Sequence, residues 1–408
     1  MVLDSAFSTV SHCQNQVTSC GLGLADNFAP AAAAAEVLAA ARLQPRAYQR
    51  RMVVAALQMI AGRQRAPDGH LAPAAGRVLV ESPVGSGKTV IGLAIASALQ
   101  RATGCRVGWA AMRRNSLARV AAENAFRVFN LDLQSISMFD KSPADVDLLV
   151  VDEVACGGTA QIERLHRQLH PRWTLGLAAN SDPIKACFDR VIRDAGVSQL
   201  IADGHLSPYR HYTLDEYTPA VVAKLLMEEP DRWGQSLAFF QRRQQGLACA
   251  GLLQEQGIAC EMLGTGAHRE RQLDAFERGS VRVLISTAAV PESIDCPDLK
   301  TVFCRPAGRS SMLDMAGPVF CKSVGQPIKQ VVQCRQAAWP MWKSIPADEQ
   351  FFVGGQGGWR SVAVNRQLAN IVAPSDPLRL ASEFPRQEDF FLGRERLRCA
   401  NASRSVRF

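Results

Sequence analysis

The segment Ser82-Pro83-Val84-Gly85-Ser86-Gly87-Lys88-Thr89 has the residue types and spacing of a phosphate-binding loop. Its glycines let successive backbone amides curl toward one point, and a helix starting there adds its positive end, so phosphate oxygens are the natural occupant. Gly85, Ser86 and Gly87 would form the cradle, Lys88 would reach the β and γ phosphates, and the Thr89 hydroxyl would ligate Mg²⁺. Ser82 stands where the simplest form of the pattern has glycine. The rival reading is a chance glycine turn, but a buried-strand pattern precedes the segment and a helical pattern follows it.

Hydrolysis at such a loop needs a carboxylate at a nearby strand end for the metal shell, and a group to orient the attacking water. Asp152-Glu153 closes the run Asp147–Asp152 (DLLVVD), 152 − 88 = 64 residues after the lysine, which leaves room for two strand–helix units. Asp152 is expected on the metal and Glu153 on the water. Alone, an acidic pair at a strand end is as often a solvated turn; after a phosphate loop the catalytic reading is favoured.

Positioning these groups requires alternating strands and helices, and the pattern from Arg42 onward supplies them. Arg77–Glu81, Arg106–Ala111, Asp147–Asp152 and Trp173–Ala178 read as buried strands, with helices over Thr89–Gln100 and Ala118–Val128. The rhythm loosens in Thr213–Gln235, then resumes with strands at Ser236–Phe240, Val281–Ser286 and Lys300–Phe303 and a helix at Gly246–Gln256. The expected class is α/β with two mostly parallel sheets flanked by helices. The expected domains are an alanine-rich flexible extension over 1–41 that ends in a short helix, an ATP-binding lobe over 42–215, a linker over 216–235, a second lobe over 236–335 and an irregular appendage over 336–408.

Composition bounds the function. The chain has 408 residues, 47% hydrophobic and 21% charged, enough for two or three folded cores. A net charge of +8 is compatible with a polyanionic partner and does not by itself require one. No apolar stretch reaches the roughly 18 residues of a membrane helix, and Asp4 sits where a secretory leader would carry Lys or Arg. The twelve cysteines are scattered with no CxxC pair, which fits reduced, mostly buried thiols in a cytoplasmic protein.

With these motifs in order, the chain resembles a superfamily 2 helicase over about 42–335, in particular the branch containing type III restriction enzyme helicase subunits and related phage or plasmid proteins. Arg46-Ala47-Tyr48-Gln49 resembles the adenine-reading segment, with Gln49 as the base contact; Gly108–Leu117 resembles the motif whose Arg113 or Arg114 would meet nucleic-acid phosphates. Leu200–Pro208 is similar to the segment closing the first lobe, and Ser236–Phe240 to the fourth motif. Val281–Val302 is similar to the fifth, placing Glu292, Asp295 and Pro297 in register, with Asp295 at the nucleotide. The resemblance implies two RecA-like lobes closing over ATP and Mg²⁺, with a nucleic-acid strand, DNA ahead of RNA, crossing them and no membrane involved. Taken alone, Arg113 and Arg114 would also fit a solvated basic face.

The departures from that family fall in its coupling motifs. After the acidic pair come Val154-Ala155 instead of a small residue and a polar one. Ala178-Ala179-Asn180 replaces the hydroxyl-bearing third motif, and Ser293 stands for a glycine in the fifth. The sixth motif, usually Gln-x-x-Gly-Arg-x-x-Arg, reads Asp314-Met315-Ala316-Gly317-Pro318-Val319-Phe320-Cys321 and lacks both arginines. An arginine at the γ-phosphate is worth about 10³–10⁵ in rate. Arg305 and Arg309 lie just upstream as substitutes, and a partner supplying an arginine in trans is the other route. The expectation is therefore an ATP-dependent DNA helicase or translocase with impaired hydrolysis; the alternative is a pseudo-helicase, a nucleotide-regulated nucleic-acid-binding module. A P-loop kinase or small-molecule ATPase would explain the loop but not the second lobe. In the tail, Trp339, Trp342 and Trp359 near Lys343, Arg360 and Arg366 fit either a base-stacking surface or the packing of an appendage.

Overall fold

In this computed structural model, which describes residues 24–361 except 66–68, 72–73, 289, 291–293, 295, 297, 324 and 354–357, the apolar runs form two separate sheets. The first lobe contains α1 (Pro30–Ala40), α2 (Ala47–Ile60), β1 (Arg77–Glu81), α3 (Lys88–Thr103), β2 (Val107–Ala111), α4 (Arg114–Phe126), β3 (Leu133–Ser137), β4 (Leu148–Val151), α5 (Val154–Leu169), β5 (Trp173–Ala178), β6 (Arg190–Arg193) and α6 (Val197–Ala202). Its strand order is β3-β2-β4-β5-β1-β6, with every pairing parallel. β2, β4 and β5 are buried along their whole length, which is why their sequences (VGWAA, LLVV, WTLGLA) run apolar without alternation. β1 lies between β5 and β6, so the loop after it opens at the interior of the sheet, at the carboxyl ends of the strands where ligands of such sheets bind.

The second lobe begins earlier than the sequence implies. It contains β7 (Tyr209–Leu214), α7 (Pro219–Glu228), α8 (Pro230–Trp233), β8 (Gln235–Phe239), α9 (Arg243–Glu255), β9 (Cys260–Met262), α10 (Gly266–Glu277), β10 (Val283–Ser286), β11 (Leu299–Cys304), α11 (Arg309–Ala316), β12 (Lys329–Cys334), β13 (Glu349–Val353) and β14 (Trp359–Ser361). The order is β14-β13-β7-β12-β11-β8-β10-β9, parallel except for the β13–β14 hairpin. β7 pairs with β12 and β13, so the crossing between sheets lies in 194–208 and not at 215.

Two further boundaries differ for the same reason, tertiary burial. The expected linker over 216–235 forms α7 and α8: Thr218 caps α7 by accepting from Val221 N at 3.2 Å, and Val222, Ala223, Leu226 and Trp233 enter the second core. The expected appendage contributes β13 and β14 to the sheet edge, where Phe351 stacks on Tyr212 and Trp359 meets Tyr212 and Trp233. The packing reading of Trp359 therefore holds; Arg366 lies outside the described residues. At the other end, residues 1–23 are not described, but α1 is not a loose extension: Ala34, Val37 and Leu38 pack into the first core beside α2 and α3. Its alanine methyls each bury little area, yet their small size lets the helix lie close.

Among the cysteines whose side chains are described, all are free thiols and all but Cys187 and Cys321 are buried. No described helix is long and apolar enough to cross a membrane.

Candidate nucleotide site between two lobes

The phosphate loop runs from Ser82 to Gly87 between β1 and α3. Gly85 and Gly87 adopt φ of 78° and 85°, the left-handed region where a side chain is strained. The Lys88 ammonium donates to the Ser82 carbonyl at 3.1 Å and the Pro83 carbonyl at 3.4 Å, and Ser82 Oγ donates to Ser86 Oγ at 2.7 Å. These residues fit a triphosphate: a curled backbone, a lysine held at the loop's crest, and Thr89 half-exposed on the first turn of α3.

The loop is braced from α2. Gln49 Nε2 donates to the Ser86 carbonyl at 2.9 Å while its Oε1 accepts from Arg46 N at 3.0 Å, and the Tyr48 hydroxyl donates to the same Ser86 carbonyl. Burial pushes the Tyr48 phenol up, so it remains a neutral donor. The amide of Gln49, expected on the adenine, thus spans two backbone groups in this structure. Tyr48 had no assigned role in the sequence, although it sits beside Gln49 in the same motif. A Cβ at Gly87 would lie 2.6 Å from Gln49 Nε2. Gly87→Ala is therefore expected to weaken ATP affinity by about tenfold or more, from combined strain and lost bracing; a nucleotide titration reads this, and affinity equal to the parent would refute the bracing.

Asp152 and Glu153 emerge at the carboxyl end of β4, one strand removed from β1 across β5. Both are buried, and Asp152 Oδ1 accepts from Glu153 N at 3.0 Å. Glu153 has φ 51° and ψ 43°, a sparsely populated conformation for a side-chain-bearing residue and one that concentrates at functional sites. Val154, where the departure from the acidic motif begins, is fully buried in the core.

The lobes meet directly over the loop. A Cβ at Gly317 would lie 2.9 Å from Val84 Cγ2, and one at Gly85 would lie 3.0 Å from Cys321 Sγ. Ser207 N donates to the Phe320 carbonyl at 2.9 Å. The segment Gly317–Phe320, a 3-10 turn with Pro318 buried, therefore docks on the phosphate loop without bringing a cation. Asn180 of the altered third motif reaches across the lobes: its Nδ2 donates to Ser310 Oγ and lies 3.3 Å from Asp314 Oδ1.

The two candidate strand-contacting arginines separate. Arg113 is 4% exposed and clamped by Asp274 at 2.9 Å and Glu277 at 3.0 Å, both on α10 of the second lobe. Its terminal nitrogens are engaged there, so this conformation does not offer them to a phosphate. Arg114, the first residue of α4, is exposed. Asn115 adds a 2.7 Å bond to Asp274, and Arg119 pairs with Glu277 at 3.4 Å. A double-mutant cycle of Arg113→Ala against Asp274→Asn with Glu277→Gln is expected to show about 1–3 kcal/mol of coupling in stability; additive effects would mean the clasp does not form in solution. Asp295, with Glu292, Ser293 and Pro297, lies outside the described residues.

Residues 218–314 match the family described as helicase conserved C-terminal domain. The match stops at Asp314, where the altered sixth motif begins. The ATP-dependent RNA helicase eIF4A of Encephalitozoon cuniculi (strain GB-M1) is 25% identical over 182 residues, 44% of this chain and 37% of that protein. The matched region thus spans little over a third of that relative's length. Among solved structures, S. cerevisiae Dbp5 bound to RNA and ADP BeF3 aligns with a TM-score of 0.51 at 16% identity, covering 77% of this chain and 88% of that one. RecG bound to a three-way DNA junction aligns at 0.50 and 13% identity, covering 74% and 44%. At such identities the likeness is one of fold, two RecA-like lobes, with the match to the helicase C-terminal domain falling within the second.

Proposed function

We propose that this chain is an ATP-binding, nucleic-acid-dependent translocase or helicase of superfamily 2, similar to the type III restriction branch, with hydrolysis slowed by its altered coupling motifs. The observation that carries the reading is the second lobe docked on the phosphate loop: Gly317 abuts Val84 and Cys321 abuts Gly85, so events at the nucleotide are felt by both lobes at once. The amides of 85–88 and the Lys88 ammonium would hold ATP, and Thr89 and Asp152 would hold Mg²⁺. The ion supplies charge neutralisation between the β and γ phosphates when bound. Glu153 orients water and takes its proton. Gln49 and Tyr48 hold the loop in shape, and Arg113, Asn180 and α11 carry movement between lobes.

DNA is the proposed polymer. The eIF4A match makes RNA the rival, and binding to a labelled single strand of each, with and without a non-hydrolysable ATP analogue, separates them. The analogue is expected to change affinity about tenfold at low ionic strength, where phosphate contacts are strongest. Affinity that ignores nucleotide for both polymers would refute coupling. Pro318 and Cys321 at the phosphate loop favour a second reading, a module that binds ATP and nucleic acid without turnover. Localisation to the cytoplasm and an arginine-donating protein partner belong to the same proposal.

A further inference from the structure

We propose that Asp274 and Glu277 of α10 stand in for nucleic-acid phosphates on Arg113, so that the closed clasp between the lobes is an autoinhibited state which a polymer must open; this rests on the nucleic-acid-binding reading above. The two carboxylates are three residues apart on one helix, which puts them on the same face. The Arg113 fork takes both: Nη2 donates to Asp274 Oδ1 at 2.9 Å and Nη1 to Glu277 Oε1 at 3.0 Å.

The remaining donor of Arg113 marks the carboxylates as substitutes. The side chain is 4% exposed, yet its Nε has no hydrogen-bond partner among the described residues. A buried charged group normally has its donors paired, and an empty one is costly. Two carboxylates, each on a terminal nitrogen, leave Nε empty. A phosphate lying side-on would offer two oxygens to Nε and a terminal nitrogen together, the bidentate geometry that favours arginine over lysine at such anions.

The surroundings say what must move for that exchange. α10 is anchored in the second lobe on its other side: Leu273 and Phe276 are buried, Gln272 Nε2 donates to the Met262 carbonyl at 3.0 Å, and Gln272 Oε1 accepts from Gly264 N at 2.7 Å. The carboxylates therefore leave Arg113 by parting of the lobes and not by loosening of the helix. Beside the clasp runs an open groove of about 620 Å³ lined by Asn115, Ala118, Arg119, Asp274, Glu277 and Arg278. While the clasp is closed, the carboxylates set negative charge along this groove; once they are displaced, arginines dominate it. Arg114 and Arg278 are exposed and meet a polymer first, and Arg113 is taken in the second stage. Because the clasp is largely buried, salt screens it less than it screens that first encounter.

The test compares the parent with Asp274→Asn/Glu277→Gln in the full chain, by affinity for a labelled single strand of DNA and of RNA without nucleotide, over a range of salt. The double variant should bind at least about tenfold tighter, with a salt slope steeper by about 0.7, the contribution of one new phosphate contact on a single strand. Adding Arg113→Gln should cancel the gain. Glu228→Gln with Glu255→Gln removes the same charge from exposed positions of the second lobe and should change affinity by less than about threefold. Where the double variant does not fold, Asp274→Asn alone leaves Glu277 on Arg113 and should give part of the gain, about threefold. Parent-like affinity, a gain that the charge-matched control reproduces, or a gain that survives loss of Arg113 overturns the autoinhibition and leaves the nucleic-acid reading intact. If neither parent nor variant binds either polymer at the lowest salt, the nucleic-acid reading itself fails and the autoinhibition fails with it.

Discussion

Lys88→Ala is expected to cut ATP turnover by about 10³-fold, roughly 4 kcal/mol of transition-state stabilisation. The Lys88 ammonium is held at the crest of the loop by the Ser82 and Pro83 carbonyls, at the place where the terminal phosphates would gather charge. Alanine removes that charge from a buried position and takes the ammonium donor away from both carbonyls. The loss should fall on turnover more than on the fold, because Gly85 and Gly87 retain their turns and Gln49 still braces Ser86. Steady-state kinetics with matched thermal unfolding separates the two. Turnover that survives the substitution would place the activity at some other site.

Trp233→Ala is expected to cost the second lobe about 3–5 kcal/mol. The indole is fully buried among Tyr212, Phe303 and Trp359, and its Nε1 donates to the Leu225 carbonyl at 2.9 Å. Thr301 Oγ1 donates to the Trp233 carbonyl at 2.6 Å, fixing the start of β8 against β11. Hydrogen exchange at the amides of β8 and β11 reads the loss lobe by lobe, which a single melting curve of a two-lobe chain does not. A cost below about 1 kcal/mol would mean that 216–235 is the loose linker its prolines imply, and not part of the core.

What the chain discloses unaided follows from which positions are buried on both faces. β1 and β5 occupy Arg77–Glu81 and Trp173–Ala178 as the apolar runs predict, because a central parallel strand has no polar face to obscure it. β3 (LQSIS) and β6 (RVIR) are edge strands with one face in water, and so carry no such run. Pro219 and Pro230 read as breaks, yet each is the first residue of a helix, where the missing amide hydrogen costs nothing. The phosphate loop is legible for the same local reason: its glycines and lysine act within a few residues of each other. The partners of Arg113 lie 161 and 164 residues away, and those of Asn180 lie 130 and 134 away. No local spacing encodes such pairs, and the polar character that suggested contact with a nucleic acid serves equally well for contact between lobes.

The central claim is that the docked lobes make a nucleic-acid-driven ATPase. Steady-state ATP hydrolysis at fixed low salt, with no polymer and then with single-stranded DNA, double-stranded DNA or RNA, tests it most directly, with Lys88→Ala as the blank. The account predicts turnover above the blank that rises when one of these polymers is added, DNA first. Turnover at the level of the blank with every polymer, while a parallel titration shows ATP bound, would contradict it and identify the chain as a nucleotide-regulated binding module.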